Sequence, residues 1–152
     1  MASDVQLVIF KLTKEDYGLP ISKVQEINRM VEVTKLPHTP DFMEGIINLR
    51  GRVIPVLDLR KRFGFGFQGS TDDTRIMVTD VSGQTVGLIV DAVNEVVRIT
   101  GDCIEPPPNS FVPDAQFVQG IGKLESRLVI ILDIDRIITS QESVILEDMA
   151  IA

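Results

Sequence analysis

The chain has 152 residues, of which 44% are apolar and 24% are charged, and its formal net charge is −7. A chain of this length can bury a core without a disulfide or a metal, and its single cysteine, Cys103, excludes an intramolecular disulfide. The acidic balance argues against nonspecific binding to nucleic acid or anionic lipid, which both select a basic surface.

The predicted elements are mostly β-strands, beginning with residues 5–12. Ser82-Gly83-Gln84 fits a hairpin turn between two strand-like runs. Pro55 lies inside an apolar run and predicts an edge strand or a bulge there. The later strand segments are residues 46–59, 75–81, 85–90 and 128–132. Several short strands at this spacing favour small barrels over an open sheet.

A few short helices are predicted where the strand pattern relaxes. Ser22 can cap one helix through about residue 28, and Asp133 can cap another through residue 138. A C-terminal helix is predicted at about residues 140–150, with a fair amphipathic pattern.

Two blocks of the sequence recur in the same order. Residues 17–27 match residues 86–96 at an offset of 69, and residues 42–63 match residues 117–138 at an offset of 75. The identities in the second pair of blocks are Phe42/Phe117, Gly45/Gly120, Ile46/Ile121, Leu49/Leu124, Arg52/Arg127, Leu57/Leu132 and Asp58/Asp133. The chain is therefore predicted to contain two copies of one small β fold, with the paired leucines as equivalent core residues.

No constellation of residues predicts catalysis. The one histidine, His38, has no nucleophile that the sequence ties to it, and zinc needs more Cys and His ligands than the chain holds. Asp133 and Asp135 could bind a hard cation, but the repeat preserves only the first carboxylate, which favours a helix cap. We therefore expect no enzyme activity, metal or cofactor. The alternative from another class is a metal-dependent hydrolase that uses these two aspartates with Asp91.

Two features are typical of a contact surface instead. In residues 45–52, strand alternation places Asn48, Arg50 and Arg52 on one face, and Gly51 permits a bulge or close backbone approach. The second copy has Lys123, Glu125 and Ser126 in place of Asn48, Arg50 and Gly51, so the fold does not demand these three. The second feature is the pair Val24 and Glu26 on the first short helix, and Glu26 is the expected partner of Arg50. Arg52 recurs as Arg127 and is assigned to the fold.

These residues resemble the CheW-like family of chemotaxis adaptors. The motifs that carry the resemblance are residues 17–27, 39–40, 45–51 with Asn48-Leu49-Arg50-Gly51 at the centre, 54–60, 86–91 and 120–122. The resemblance extends from about residue 5 to residue 138. It implies a single CheW-like domain over residues 1–152, built from two five-stranded, SH3-like β-barrels with a hydrophobic seam between them. The first barrel is expected at about residues 14–82, and the second at about residues 83–139 together with the N-terminal strand, residues 5–12.

The resemblance also implies partners. They are the cytoplasmic helical hairpin of a methyl-accepting chemoreceptor and the regulatory domain of the chemotaxis histidine kinase. The implied receptor-binding residues are Val24, Glu26, Gly45, Asn48, Arg50 and Gly51, and the candidates for the kinase contact are Glu44 and Phe111. Such an adaptor is expected to be cytoplasmic, without nucleic-acid binding or membrane insertion, and to be recruited to receptor arrays. An adaptor of the same fold in a receptor system outside chemotaxis is the alternative within the same class.

Overall fold

The computed structural model describes residues 4–38, 43–63, 69–107 and 117–137. The strands in this part of the chain are β1 Asp4–Leu12, β2 Glu15–Pro20, β3 Val24–Arg29, β4 Met43–Leu49, β5 Arg52–Asp58, β6 Arg75–Val81, β7 Gln84–Val90, β8 Ala92–Thr100, β9 Ile104–Glu105, β10 Val118–Leu124 and β11 Arg127–Leu132. One short α-helix, α1, covers Leu59–Arg62, and 3-10 helices cover Ile21–Lys23, Gly101–Cys103 and Ile134–Arg136. The mostly-β class is confirmed.

The strands form two sheets. One has five strands in the order β3-β6-β7-β5-β4, and the other has six in the order β8-β1-β2-β11-β10-β9. Each sheet contains one parallel pairing, β5 with β7 in the first and β11 with β2 in the second. The hairpin β6–β7 thus occupies the same place in the five-stranded sheet as the hairpin β1–β2 does in the six-stranded one.

The pairing registers repeat with the offsets seen in the sequence, which confirms the internal repeat. Phe10 faces Tyr17 across β1–β2, and Thr79 faces Val86 across β6–β7. The β4–β5 register begins at Met43/Leu57, continues at Gly45/Val56 after a bulge and ends at Leu49/Arg52. The β10–β11 register begins at Val118/Leu132, continues at Gly120/Ile131 after the same bulge and ends at Leu124/Arg127. The two copies therefore share strand order, register and irregularities.

Each sheet closes on itself into a small barrel. In the five-stranded sheet, Thr34 follows β3 and exchanges two backbone hydrogen bonds with Ile46 of β4, at 2.8 and 2.9 Å. In the six-stranded sheet, β9 follows β8 and pairs with β10 at the equivalent place. The close approach explains Gly45, because a Cβ at this residue would lie 2.0 Å from the carbonyl oxygen of Thr34. We call the five-stranded sheet the first barrel and the six-stranded sheet the second barrel.

Sheet membership differs from the expected ranges at two strands. β2 pairs in the second barrel, although residues 14–82 were assigned to the first, and β7 pairs in the first barrel, although its residues were assigned to the second. The chain crosses between the barrels after β2, through Ile21–Lys23, and after β7, at Asp91. The expected lending of the N-terminal strand to the second barrel therefore extends to the whole hairpin β1–β2. The predicted C-terminal helix, about residues 140–150, lies outside the described residues.

The largest core lies in the seam between the barrels and includes Leu57 and Leu132, which are 0% and 1% exposed. Two smaller cores fill the barrels themselves. Leu49 is buried in the first barrel, and its counterpart Leu124 is only partly buried against the core of the second. The equivalence of the paired leucines thus holds fully for Leu57 and Leu132, whereas Leu124 is the less buried member of its pair.

Three local predictions require correction. The predicted helix from Ser22 to about residue 28 is a single 3-10 turn followed by strand β3, because the edge strand gains ladder hydrogen bonds from β6. Pro55 lies on an interior strand, since β5 pairs with both β4 and β7, and the bulge is in the facing strand β4. Asp58 caps α1 by accepting a hydrogen bond from the Arg60 amide. The predicted helix cap at Asp133 is wrong, because Asp133 precedes a 3-10 helix, Ile134–Arg136, and makes no side-chain cap bond to it.

Candidate partner-binding site

The turn between β4 and β5 presents an exposed arginine. Arg50 and Gly51 are the two turn residues, with φ angles of 52° and 86°. Two consecutive positive φ values are typical of the two-residue hairpin turns whose twist matches that of the flanking strands. The Asn48 side-chain oxygen accepts a hydrogen bond from the Gly51 amide at 2.9 Å. A Cβ at Gly51 would meet nothing within 4 Å, so backbone conformation, not packing, favours glycine there.

Arg50 reaches across to strand β3 and binds Glu26. Its Nη2 lies 2.5 Å from Glu26 Oε2, and Asn28 Nδ2 donates to Glu26 Oε1 at 2.7 Å. The hydrogen bond from Arg50, and then that from Asn28, lower the pKa of Glu26 below its ordinary value. Arg50 remains 68% exposed and Glu26 30% exposed. We call Glu26, Asn28, Asn48, Arg50 and Gly51 the Arg50 cluster.

The cluster joins two elements that the backbone does not pair. β3 and β4 lie at opposite ends of the strand order, and Thr34 and Ile46 form the bridge that closes the barrel between them. The ion pair between Glu26 and Arg50 therefore links β3 to the β4–β5 turn, in addition to the bridge between Thr34 and Ile46. The predicted pairing of Arg50 with Glu26 is confirmed.

The other predicted binding residues are placed differently. Val24 begins β3 and packs, partly buried, against the seam between the barrels. Gly45 serves barrel closure, as described above. Glu44 is largely buried and pairs with Lys61 of α1 at 2.6 Å. Phe111 lies outside the described residues.

Asn28 also belongs to the site, although the sequence did not predict it. On a strand, residues two apart share a face, so Asn28 stands beside Glu26 and holds its second oxygen. The signal was hidden because this segment was interpreted as a helix, which would have directed the two side chains to different faces.

The aspartates proposed for a metal site are engaged separately. Asp91 binds Arg60 at 3.0 Å and accepts from the Thr13 amide, and Asp133 lies 3.3 Å from Arg136. Asp135 accepts from the Ser82 amide at 2.8 Å and binds Lys23 at 3.2 Å. Within the described ranges, no group of three His, Cys, Asp or Glu side chains could hold a metal ion. Nor does that part of the chain contain a helix long and apolar enough to cross a membrane.

Comparison with known proteins gives consistent matches. Residues 6–142 match the family model of the CheW-like domain. The chain is 36% identical over 146 residues to "Chemotaxis protein CheW" of Klebsiella aerogenes, covering 95% of this chain and 88% of that protein. It is 32% identical over 139 residues to the protein of the same name from Bacillus subtilis, covering 91% and 89%. The crystal structure of the scaffolding protein TtCheW from Thermoanaerobacter tengcongensis superposes with a TM-score of 0.86 at 46% identity, covering 92% of this chain and 96% of that one.

Proposed function

The chain belongs to the CheW-like family of non-catalytic chemotaxis adaptors, and from this premise we propose that it binds a chemoreceptor's cytoplasmic helical hairpin through the Arg50 cluster. We further propose that another surface binds the regulatory domain of the chemotaxis histidine kinase. Recruitment of the protein to membrane-bound receptor arrays would follow from the first contact.

The observation that carries the receptor site is the exposed ion pair at the barrel end. A planar guanidinium suits a carboxylate on a partner helix, because it can donate two parallel hydrogen bonds. Glu26 holds Arg50 by Nη2, and its pairing fixes the direction of a long side chain before binding. Val24 offers an apolar side chain beside the seam, as helix-in-groove recognition requires. Asn48 and Gly51 fix the turn that carries Arg50.

The same charges matter differently for folding and for binding. Exposed ion pairs contribute about 0–1 kcal/mol to stability, so the fold depends little on this one. A charge that a docked helix covers loses its water, and removal of one partner of such a pair costs about 2–5 kcal/mol of binding energy. Receptor affinity should therefore respond to changes that leave stability almost untouched.

For the kinase contact we propose a barrel surface near Glu44, with Phe111 as the second candidate. The carboxylate of Glu44 is already bound by Lys61 and only 18% of its side chain is exposed, so we expect the contact to involve the surface around Glu44 more than its charge.

Calorimetry with two separate partners tests the proposal. Wild-type protein should bind a receptor-tip fragment and the kinase regulatory domain, each alone and both together. Arg50→Ala should lose receptor affinity and keep kinase affinity. The matched control is Arg52→Ala, two residues along the same hairpin, whose side chain donates to Thr85 Oγ1 at 3.3 Å. If Arg52→Ala loses receptor affinity and Arg50→Ala does not, the receptor site includes Arg52 and the proposal for Arg50 is wrong.

A further inference from the structure

Asn28 of β3 lies at a position where the second barrel has an apolar residue. Asn28 faces Ile76 across β3 and β6. Val97 faces Leu7 across β8 and β1, and both pairs of positions are related by the repeat offset of 69. Ile76 and Leu7 are buried in the cores of their barrels, and Val97 packs against the same core as Leu7. Because directly opposed residues of a ladder share one sheet face, Asn28 is a partly buried amide on the core-facing side of the first barrel.

Folding alone favours an apolar residue at this position. Asparagine is depleted in strands and valine is enriched. A polar group that faces a core also loses water, which a hydrogen bond must replace. That hydrogen bond runs from Asn28 Nδ2 to Glu26 Oε1 at 2.7 Å. Like Asn48, Arg50 and Gly51, Asn28 is therefore a residue of the Arg50 cluster that the fold does not require.

The bond from Asn28 completes the anchoring of Arg50. Arg50 Nη2 donates to Glu26 Oε2 and Asn28 Nδ2 donates to Oε1, so both oxygens of one carboxylate are held. A carboxylate held at one oxygen can still rotate about its terminal bond, since that torsion is broad. Among the residues that the structure describes, Nη2 is the only Arg50 side-chain donor with an acceptor, so Nε and Nη1 remain for a partner's carboxylate.

The second barrel anchors its arginine in another way. Arg127 Nη2 binds Glu95, the counterpart of Glu26, and Arg127 Nη1 binds Asp16 at 3.3 Å. Two carboxylates thus hold that guanidinium, and an apolar residue suffices beside Glu95. In the first barrel a single carboxylate holds the guanidinium, and the orientation of that carboxylate depends on Asn28.

We propose that Asn28 is a positioning residue of the receptor site, which holds Glu26 so that Arg50 keeps its remaining donors towards solvent before the receptor binds. The inference rests on the proposed function and adds to it a residue that acts through Glu26 and not by touching the receptor. A side chain that is fixed before association loses less conformational entropy on binding. The amide therefore raises receptor affinity while it lowers the stability of the first barrel.

Replacement of each residue by its counterpart tests the proposal. Asn28→Val should melt at or above the wild-type temperature and should bind a receptor-tip fragment about three- to tenfold more weakly. The matched control is Val97→Asn, which should melt earlier and bind the fragment like the wild type while folded. A lower melting temperature for Asn28→Val would assign the amide to the fold and overturn the proposal.

The pKa of Glu26 gives a measurement that needs no receptor. The hydrogen bond from Asn28 is one of the two that lower this pKa, so Asn28→Val should raise it towards the ordinary glutamate value. Titration of the free protein by NMR measures the shift, and Val97→Asn should leave the pKa unchanged. An unchanged pKa in Asn28→Val would show that the amide does not hold Glu26.

A double-mutant cycle separates positioning from direct contact. Glu26→Ala and the double variant Glu26→Ala with Asn28→Val should bind the receptor-tip fragment equally well, because Asn28 acts only through Glu26. A further loss of affinity in the double variant would overturn the positioning role. Arg50→Ala, measured alongside, distinguishes the two proposals. Weakened binding by Arg50→Ala with normal binding by Asn28→Val overturns this inference alone, whereas normal binding by Arg50→Ala overturns the proposed receptor site and this inference with it.

Discussion

Equivalent residues of the two barrels make different contacts. In the second barrel, Arg127 binds Asp16 and Glu95, and Asp16 is also held by Lys11 at 2.7 Å. In the first barrel the equivalent arginine, Arg52, meets Thr85 where the second has Asp16. Glu26 of the first barrel is equivalent to Glu95, and it is bound by Arg50 of the β4–β5 turn.

The difference leaves Arg127 paired with a buried carboxylate and Arg50 exposed at a turn. In the second barrel the cation lies within the hairpin beside a carboxylate that is 8% exposed, and the turn carries Glu125. In the first barrel the pairing cation is displaced to the turn tip, where it is 68% exposed. The fold thus accommodates either arrangement, and the one in the first barrel leaves an arginine at the surface, where we propose that it contacts the receptor.

The largest expected effects are in the seam, where the barrels should respond alike. Leu57→Ala and Leu132→Ala each remove a fully buried side chain from the same core, and each should lower the free energy of unfolding by about 2–5 kcal/mol. Urea denaturation measures both. If only one of the two variants lost less than about 1 kcal/mol of unfolding free energy, the two copies would not be equivalent at this position.

Two glycine substitutions distinguish the role of Gly45 in barrel closure from the role of Gly51 in the β4–β5 turn. Gly45→Ala sets a methyl group 2.0 Å from the Thr34 carbonyl oxygen at a φ of 141°, and should cost at least about 2 kcal/mol of stability. Gly51→Ala also has a positive φ but open space around it, and should cost about 1 kcal/mol. Thermal unfolding of the two variants gives the order, and an equal loss would argue against the closure role of Gly45.

Removal of the equivalent arginines should affect stability unequally. Arg127→Ala leaves the buried carboxylate of Asp16 with Lys11 as its remaining cation and should cost about 1–2 kcal/mol. Arg52→Ala removes one long hydrogen bond at the surface and should stay within about 0.5 kcal/mol. Chemical denaturation at neutral pH compares them, and the reverse order would contradict the account of the second barrel.

The smallest effect concerns the protonation of Glu26. Its pKa is lowered in the folded state by Arg50 and Asn28, so the pair's contribution is present above the unfolded pKa and is lost as the pH falls through the folded value. Receptor binding should therefore stay level from neutral pH down to about 4.5, the ordinary pKa of the group. Titration of wild type against Glu26→Gln checks this, and a loss of wild-type affinity already near pH 6, above the ordinary glutamate range of about 4–5, would contradict it.

The sequence predicted the repeat, the β class and the ion pair because each depends on residue identity at fixed offsets. Offsets of 69 and 75 carry over directly into strand register, and Arg50 and Glu26 were singled out by charge. The sequence did not predict which sheet contains β2 and which contains β7, because a short hairpin has the same local pattern in either barrel. It also mistook β3 for a helix, since a polar edge strand with alternating half-buried residues lacks the apolar run of a central strand.

We propose that receptor binding and fold stability depend on different arginines of the two barrels. The direct test measures affinity for a receptor-tip fragment and melting temperature for Arg50→Ala and Arg127→Ala in parallel. We expect Arg50→Ala to melt like the wild type and to bind at least about tenfold more weakly, a loss near 1.4 kcal/mol. Arg127→Ala should melt earlier and bind normally while folded. Normal binding by Arg50→Ala, together with weakened binding by folded Arg127→Ala, would contradict the account.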